Sequence, residues 1–239
     1  MRLDKFLADA GCGSRSDVKN GIRKGLVRVN DIVTKDPRMQ VAETDHVLYN
    51  GTHVIYERFV YYMLNKPSGV VSATRDRHDK TVLDLLAGEN LKDVSPVGRL
   101  DKDTEGLLLL TNDGALAHRL LSPSHHVAKK YLVYLDHPVS AEDIAKITAG
   151  LPIGDGDVSA PSILSQAEDD DPCHVCLTIT EGKYHEVKRI FEAVYNRVLF
   201  LKRISMGSLI LDESLMPGTY RRLTEVELKE LQESSYATK

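Results

Sequence analysis

The run Leu107-Leu108-Leu109-Leu110 places the tightest constraint on what this chain can fold into. Four leucines in a row are too few for an isolated helix and lack the alternation of a half-wet strand. They predict a strand buried on both faces. Upstream of them lies a knot of charge, Gly98-Arg99-Leu100-Asp101-Lys102-Asp103-Thr104-Glu105-Gly106. Downstream, Asn112-Asp113-Gly114 predicts a tight turn, because Gly accepts positive φ and Asn or Asp can bond its own backbone. Asp101 therefore stands at the mouth of a rigid apolar element, where a carboxylate needs a nearby cation to stay charged. Spacing alone leaves three readings open. The stretch is a solvated charged turn, or a magnesium site built from Asp101 and Asp103, or the seat of a nucleophilic carboxylate.

The 239 residues suffice for one large domain or two of unequal size, and the 42% hydrophobic share is enough for a sizeable core. No apolar run is long enough to span a bilayer. The first residues, Met1-Arg2-Leu3-Asp4-Lys5, put charge where a signal peptide has its apolar core, so a cytoplasmic location is expected. A net charge of −4 excludes a uniformly basic protein. The distribution says more: residues 1–40 hold nine Lys or Arg against five Asp, a basic head on an acidic body. Such a head suits a polyanionic partner. The three cysteines, Cys12, Cys173 and Cys176, cannot all pair. Cys173 and Cys176 have a metal-like spacing but sit in an alternating, strand-like run with no second ligand cluster, so reduced thiols are expected.

In the head, Leu3, Phe6, Leu7 and Ala10 fall on one face of a first helix that Gly11 and Gly13 end. Ser14 or Ser16 can cap a second helix. Val18 and Ile22 lie on one of its faces, and Arg15, Lys19 and Arg23 line another. Val27-Arg28-Val29 and Ile32-Val33 read as strands around a turn at Asn30-Asp31. A polar stretch from Glu43 to Arg58 follows, and the domain boundary is expected near residue 58. Beyond it, Phe59–Leu64 reads as a strand, Asn65-Lys66-Pro67-Ser68-Gly69 as a turn, and residues 74–80 as a polar loop. Leu116, Leu120 and Leu121 make a helical face. Residues 129–134 alternate as a strand on which Tyr131 is either a core aromatic or a platform for a base. His125-His126 lacks a third metal ligand, and Gly154-Asp155-Gly156-Asp157 lacks the remaining positions of a calcium loop. Glu168–Asp171 is an acidic loop. Val187, Ile190, Phe191 and Val194 keep helical spacing on an element that carries Lys188 near its start.

Residues 1–50, through Arg2-Leu3-Asp4-Lys5-Phe6-Leu7, Ser14-Arg15-Ser16 and Val27-Arg28-Val29-Asn30, resemble an S4-type RNA-binding domain. Residues 98–109 resemble the catalytic signature of pseudouridine synthases. Lys130-Tyr131 resembles that family's second motif, and residues 181–189 its third. Asn65-Lys66-Pro67 also recurs in the family ahead of the signature. The Lys183-Tyr184-His185 form of the third motif and the short non-basic tail resemble the members that act on 16S ribosomal RNA, while members acting on 23S RNA more often show Asn-Arg there or a basic extension. Glu186 stands where Gln is common.

The resemblance implies an α+β protein. A small N-terminal S4-type α/β RNA-binding domain, 1–58, leads a catalytic domain, 59–239, on a bent, mainly antiparallel sheet flanked by helices. It implies an isomerase that detaches uracil from C1′ and rejoins it through C5, with no cofactor and no metal. Asp101 would be the catalytic carboxylate and Lys188 its counter-ion. Tyr131 would stack on the uracil and help remove the C5 proton, and Arg99 would fill the gap left by the base. Arg15, Lys19, Arg23, Lys24 and Arg28 would meet RNA phosphates. The target implied is uridine 516 of 16S RNA, free or in a partly assembled small subunit, and the enzyme is expected as a monomer with no membrane partner. The alternatives are a 23S enzyme of the same family, a non-catalytic S4-type assembly factor, and a metal-dependent nuclease using Asp101 and Asp103.

Overall fold

A computed structural model describes residues 1–42, 44–169 and 171–235. Glu43 of the polar stretch, Asp170 of the acidic loop and the tail 236–239 lie outside the described residues. The chain forms two compact units, one comprising Met1–Phe59 together with Gly88–Lys92, the other residues 60–87 and 93 onward.

The first unit carries α1 (Leu3–Asp9), α2 (Arg15–Arg23) and the strands β1 (Val27–Val29), β2 (Ile32–Thr34), β3 (Val47–Tyr49) and β4 (Thr52–His53). The strands form an antiparallel sheet in the order β2-β1-β3-β4. Leu3, Phe6 and Leu7 of α1 meet Val18 and Ile22 of α2 in a core closed by Val27, Val29, Val41 and Val47. Ser14 caps α2 through a capping box with Asp17, which satisfies two orphan backbone donors. β3 and β4 escape sequence reading because Val47 is the one fully buried residue of the pair, so no apolar run marks them. Gly88–Lys92 joins this unit through Asn90, whose Nδ2 donates to the Asp9 carbonyl at 2.7 Å, and through a Lys92–Asp9 ion pair.

The second unit is built on a nine-stranded sheet. Its strands are β5 (Tyr61–Lys66), β6 (Ser95–Pro96), β7 (Glu105–Thr111), β8 (Lys129–Leu135), β9 (Ile163–Gln166), β10 (His174–Ile179), β11 (Val198–Met206), β12 (Leu209–Ile210) and β13 (Tyr220–Arg222). The helices are α3 (Gly114–Leu121), α4 (Ala141–Ala149), α5 (Glu186–Glu192) and α6 (Glu225–Ser234). The main order is β13-β5-β7-β11-β8-β10-β9, with β6 on β7 and β12 on β11. The β7–β11 pair is parallel and the other pairs are antiparallel. Among the described residues no helix is long and apolar enough to cross a membrane.

The leucine run lies in β7 and is buried on both faces, each of its four side chains at most 1% exposed. Leu107 and Leu109 pack against Leu116 and Leu120 of α3 and Leu231 of α6. At the start of β7, Gly106 has φ +98°, and a Cβ there would run into the backbone of Arg203 on β11. Glycine thus permits the close parallel pairing that holds the charged loop to the sheet. Two expectations fail. Asn112-Asp113-Gly114 is not a free-standing tight turn but a bend that runs straight into a helix: the Asp113 carboxylate accepts from the N–H groups of Ala115 and Leu116 and caps α3. Leu121 leaves the buried face of α3 and is 42% exposed, because the helix ends there and Ser122 turns the backbone extended.

Candidate active site

The loop that carries Asp101 is pinned from below by one buried side chain. Lys66, the last residue of β5, is fully buried, and its Nζ donates to the carbonyls of Thr104 (2.8 Å), Pro67 (3.1 Å) and Lys102 (3.3 Å). Burial pushes this ammonium down to about 8, although Asp103, Glu105 and Asp101 work the other way. Gly69 N–H donates to the Lys102 carbonyl and Ser72 Oγ to the Leu100 carbonyl, at 2.8 Å each. The loop is therefore fixed from both sides before any partner arrives.

Asp101 is contacted on each of its carboxylate oxygens. Lys188 Nζ lies 3.1 Å from Oδ2, and His185 Nε2 lies 3.4 Å from Oδ1. The same lysine contacts Asp103 at 2.7 and 3.0 Å. The cation between the two carboxylates is thus an ammonium. Burial alone would push Lys188 down, but its hydrogen bonds to Asp103 and Asp101 outweigh that and hold it above its usual range. The bond from Lys188 in turn holds Asp103 below the usual carboxylate range, against a smaller opposing effect of burial. The Asp101 side chain is 29% exposed, half-sheltered rather than sealed off. Among the described residues no group of three or more His, Cys, Asp or Glu is placed to hold a metal.

Lys188 reaches this position because α5 begins where the chain reverses. His185 takes the left-handed conformation, φ 48° and ψ 34°, and Tyr184 stacks on its ring at 3.8 Å. Val187, Ile190 and Phe191 seat the helix in the core. Arg189 binds the carbonyls of Ile153 and Gly154 and the Asp157 carboxylate, so the glycine-aspartate turn is a clasp on α5.

Two depressions meet at Asp101, His185 and Lys188. The inner one is about 70 Å³, room for a few water molecules, and is walled by Arg99, Leu100, Tyr131, Ile179, Val187 and Leu201. The outer one, about 470 Å³, is flanked by Ser68, Gly69, Lys102 and Asp103. Tyr131 is 8% exposed on β8 and faces the inner pocket. Lys130, its neighbour in the sequence, points to the opposite face of the sheet and lines a separate cavity of about 640 Å³ with Leu132, Lys202 and Ile204.

Sequence reading missed the polar residues behind the inner pocket. Lys129 is buried, and strand alternation puts it on the same face as Tyr131. Arg203, the cross-strand partner of Tyr131, is also buried and donates from Nε to the Leu107 carbonyl at 2.8 Å. Burial, with Arg203 close by, pushes Lys129 down. Glu186 is 4% exposed at the pocket wall. Thr104 Oγ1 and Arg203 Nη2 are buried with no hydrogen-bond partner among the described residues.

Asp101, Lys188, Tyr131 and Arg99 thus come together around one pocket, Arg99 exposed at its edge. The basic residues of the head belong to the other unit. Arg15, Arg23, Lys24 and Arg28 are exposed there, while Lys19 lies 3.8 Å from the buried Asp4, which Arg2 also holds.

Comparison with known proteins gives concordant matches. The family described as RNA pseudouridylate synthase matches residues 60–193, and the S4 domain family matches residues 1–52. The chain is 49% identical over 236 residues to an uncharacterized RNA pseudouridine synthase of Bacillus subtilis, covering 98% of this chain and 99% of that one. It is 41% identical over 229 residues to the ribosomal small subunit pseudouridine synthase A of Vibrio cholerae, covering 95% and 98%. A crystal structure described as a pseudouridylate synthase superposes with a TM-score of 0.68 at 37% identity, covering 97% of this chain and 99% of that one.

Proposed function

The chain belongs to the RNA pseudouridine synthase family, and we propose that it isomerises one uridine of small-subunit ribosomal RNA, with Asp101 as the catalytic carboxylate. The reaction breaks the N1–C1′ bond and forms a C5–C1′ bond; C5 loses a proton and N1 gains one. No electrons are exchanged, so the chemistry calls for a positioned carboxylate, a counter-ion and a place to hold the freed base. The observation that carries this reading is the Asp101–Lys188 contact of 3.1 Å at the rim of a pocket that Tyr131, Leu100, Ile179 and Leu201 share with charged side chains. Lys188 sets a positive charge 3.1 Å from a carboxylate that is half-withdrawn from water. Tyr131 stacks on the base and assists removal of the C5 proton. Arg99, at the pocket edge, takes the place the extruded base leaves in the RNA.

A uridine must leave its stack to reach Asp101, at a cost of a few kcal/mol. Phosphate contacts from Arg15, Lys19, Arg23, Lys24 and Arg28 offset that cost without reading sequence. A small-subunit target is supported by the likeness to the Vibrio cholerae enzyme over nearly the whole chain; the uridine we propose within it is 516 of 16S RNA. The protein works as a cytoplasmic monomer on free 16S RNA or on a partly assembled subunit. The test is Asp101→Ala. Pseudouridine formation in small-subunit RNA should vanish while RNA binding persists. Retained isomerisation, or cleaved RNA in place of isomerised RNA with the unaltered protein, would contradict the assignment.

A further inference from the structure

The inner pocket holds one ionisable side chain that the reaction above leaves without a role. Glu186, the first residue of α5, is 4% exposed and lines the pocket together with Asp101 and Tyr131. Its Oε2 accepts the N–H of Lys183 at 2.9 Å. Oε1 makes no hydrogen bond among the described residues, and it is not one of their fully buried unpartnered atoms, so it opens onto the pocket. Among the described residues no cation stands within ion-pair distance of it, although the charges of Lys183 and Lys129 act on it from farther away. Lys183 is taken up by Glu181 and the Val158 carbonyl, and Lys188 by Asp101 and Asp103. A buried carboxylate with an idle oxygen and no contact cation is costly as an anion and far cheaper as a neutral acid.

We propose that Glu186 works as a neutral carboxylic acid whose Oε1–H donates to a keto oxygen of the base entering the pocket. This rests on the reading that the inner pocket receives uracil. The Lys183 N–H commits Oε2 as an acceptor, so the proton belongs on Oε1, the oxygen left free. A donor there favours uracil over cytosine, which presents an amino group where uracil presents its 4-keto oxygen. Burial pushes the Glu186 carboxyl up, opposed by the Lys183 N–H and more weakly by the charges of Lys183 and Lys129, while Glu181 reinforces it. The other ionisable groups around the pocket are Asp101, His185 and Lys188, and Arg203 lies beside Lys129.

The test is the pH dependence of kcat/KM for pseudouridine formation in transcribed small-subunit RNA, followed from the acid limit of the protein's stability up to about pH 9 so that the whole carboxyl titration is covered. It compares the full-length protein with Glu186→Ala and Glu186→Gln. The donor exists only below the carboxyl's pKa, so the unaltered protein should lose kcat/KM as pH rises through it. Glu186→Ala should lower kcat/KM about ten- to a hundredfold at the acid end, the effect of one missing buried hydrogen bond. Glu186→Gln should restore most of that loss and abolish the alkaline fall, since its Oε1 accepts from Lys183 and its amide donates at every pH. Glu186→Gln as poor as Glu186→Ala throughout would mean an acceptor is needed, and the inference falls. It falls equally if the alkaline decline persists unchanged in Glu186→Gln, or if Glu186→Ala matches the unaltered protein. Glu186→Gln against the unaltered protein decides the matter even if Ala at 186 unfolds the pocket. Absence of pseudouridine with the unaltered protein would instead strike the functional reading itself.

Discussion

Lys66→Met tests whether the Asp101 loop is held in place by a buried ammonium. Met keeps much of the length and volume but removes three hydrogen bonds, to Thr104, Pro67 and Lys102. Bonds from a charged donor contribute about 1.5–3 kcal/mol each, so about 5–9 kcal/mol of gross interaction disappears. Against this, the Lys66 side chain is fully buried, and its ammonium is pushed from 10.5 to about 8. At about 1.4 kcal/mol per pKa unit, keeping it charged costs about 3 kcal/mol at neutral pH. The net expectation is a loss of about 2–6 kcal/mol in urea unfolding at neutral pH. The sign with pH follows from the depressed value. Between about pH 8 and 10.5 the unfolded chain binds more protons at this group, so the unaltered protein gains stability relative to Lys66→Met as pH rises through that window. Two of the lost bonds anchor the loop carrying Asp101, so kcat should fall about a hundredfold, as for an ångström-scale misplacement of a reacting group. RNA affinity, which we assign to the basic residues of the other unit, should hold. A variant with unaltered unfolding midpoint and unaltered kcat would refute the anchoring argument. So would a loss of RNA binding equal to the loss of turnover.

Two other perturbations separate chemistry from binding. Lys188→Met leaves Asp101 and Asp103 facing each other without their shared ammonium; kcat should drop about a hundredfold or more with little change in RNA affinity, and a single-turnover assay within threefold of normal would dismiss Lys188 as the counter-ion. Replacing Arg15, Arg23 and Arg28 together by Gln should weaken RNA binding and flatten the dependence of log K on log salt by about two to three units. Saturating RNA should then restore kcat, and an unchanged salt slope would remove these exposed arginines from the RNA-facing surface.

What the sequence reveals here depends on whether a residue's partner is near it along the chain. The leucine run carries its own answer: four adjacent apolar side chains demand two covered faces, and β7 has them. The capping of α2 is equally local, since Ser14 and Asp17 are three residues apart. Asn112-Asp113-Gly114 shows how a local signal still misleads, because the residues that favour a turn also favour a helix N-cap, and only the following helix decides. Lys129 was within reach: the alternation that hides Tyr131 and Val133 must hide Lys129 as well. A run of two lysines simply reads as surface until the period is applied to it.

The charged end of the central stretch behaves differently. Taken by itself, Asp101 fits a solvated turn, a metal ligand or a nucleophile, because what distinguishes these readings lies elsewhere in the chain. The counter-ion comes from α5, and its position is set by the left-handed turn at His185, the Arg189 clasp and the burial of Val187, Ile190 and Phe191. None of these has a spacing relation to Asp101. The same holds for Lys66, whose neighbours along the chain are a strand and a turn, yet whose ammonium is bound to the loop 36 to 38 residues later. Long-range pairing of this kind leaves no periodic trace, so only likeness to related sequences can point to it in advance. That is why the burial of Thr104, Glu186 and Arg203 around one pocket, two of them already marked by the motifs, became visible only once the sheet and α5 were assembled. A group such as Glu186, with one oxygen committed to the backbone and the other idle, is where substitution will tell most about how this pocket chooses its base.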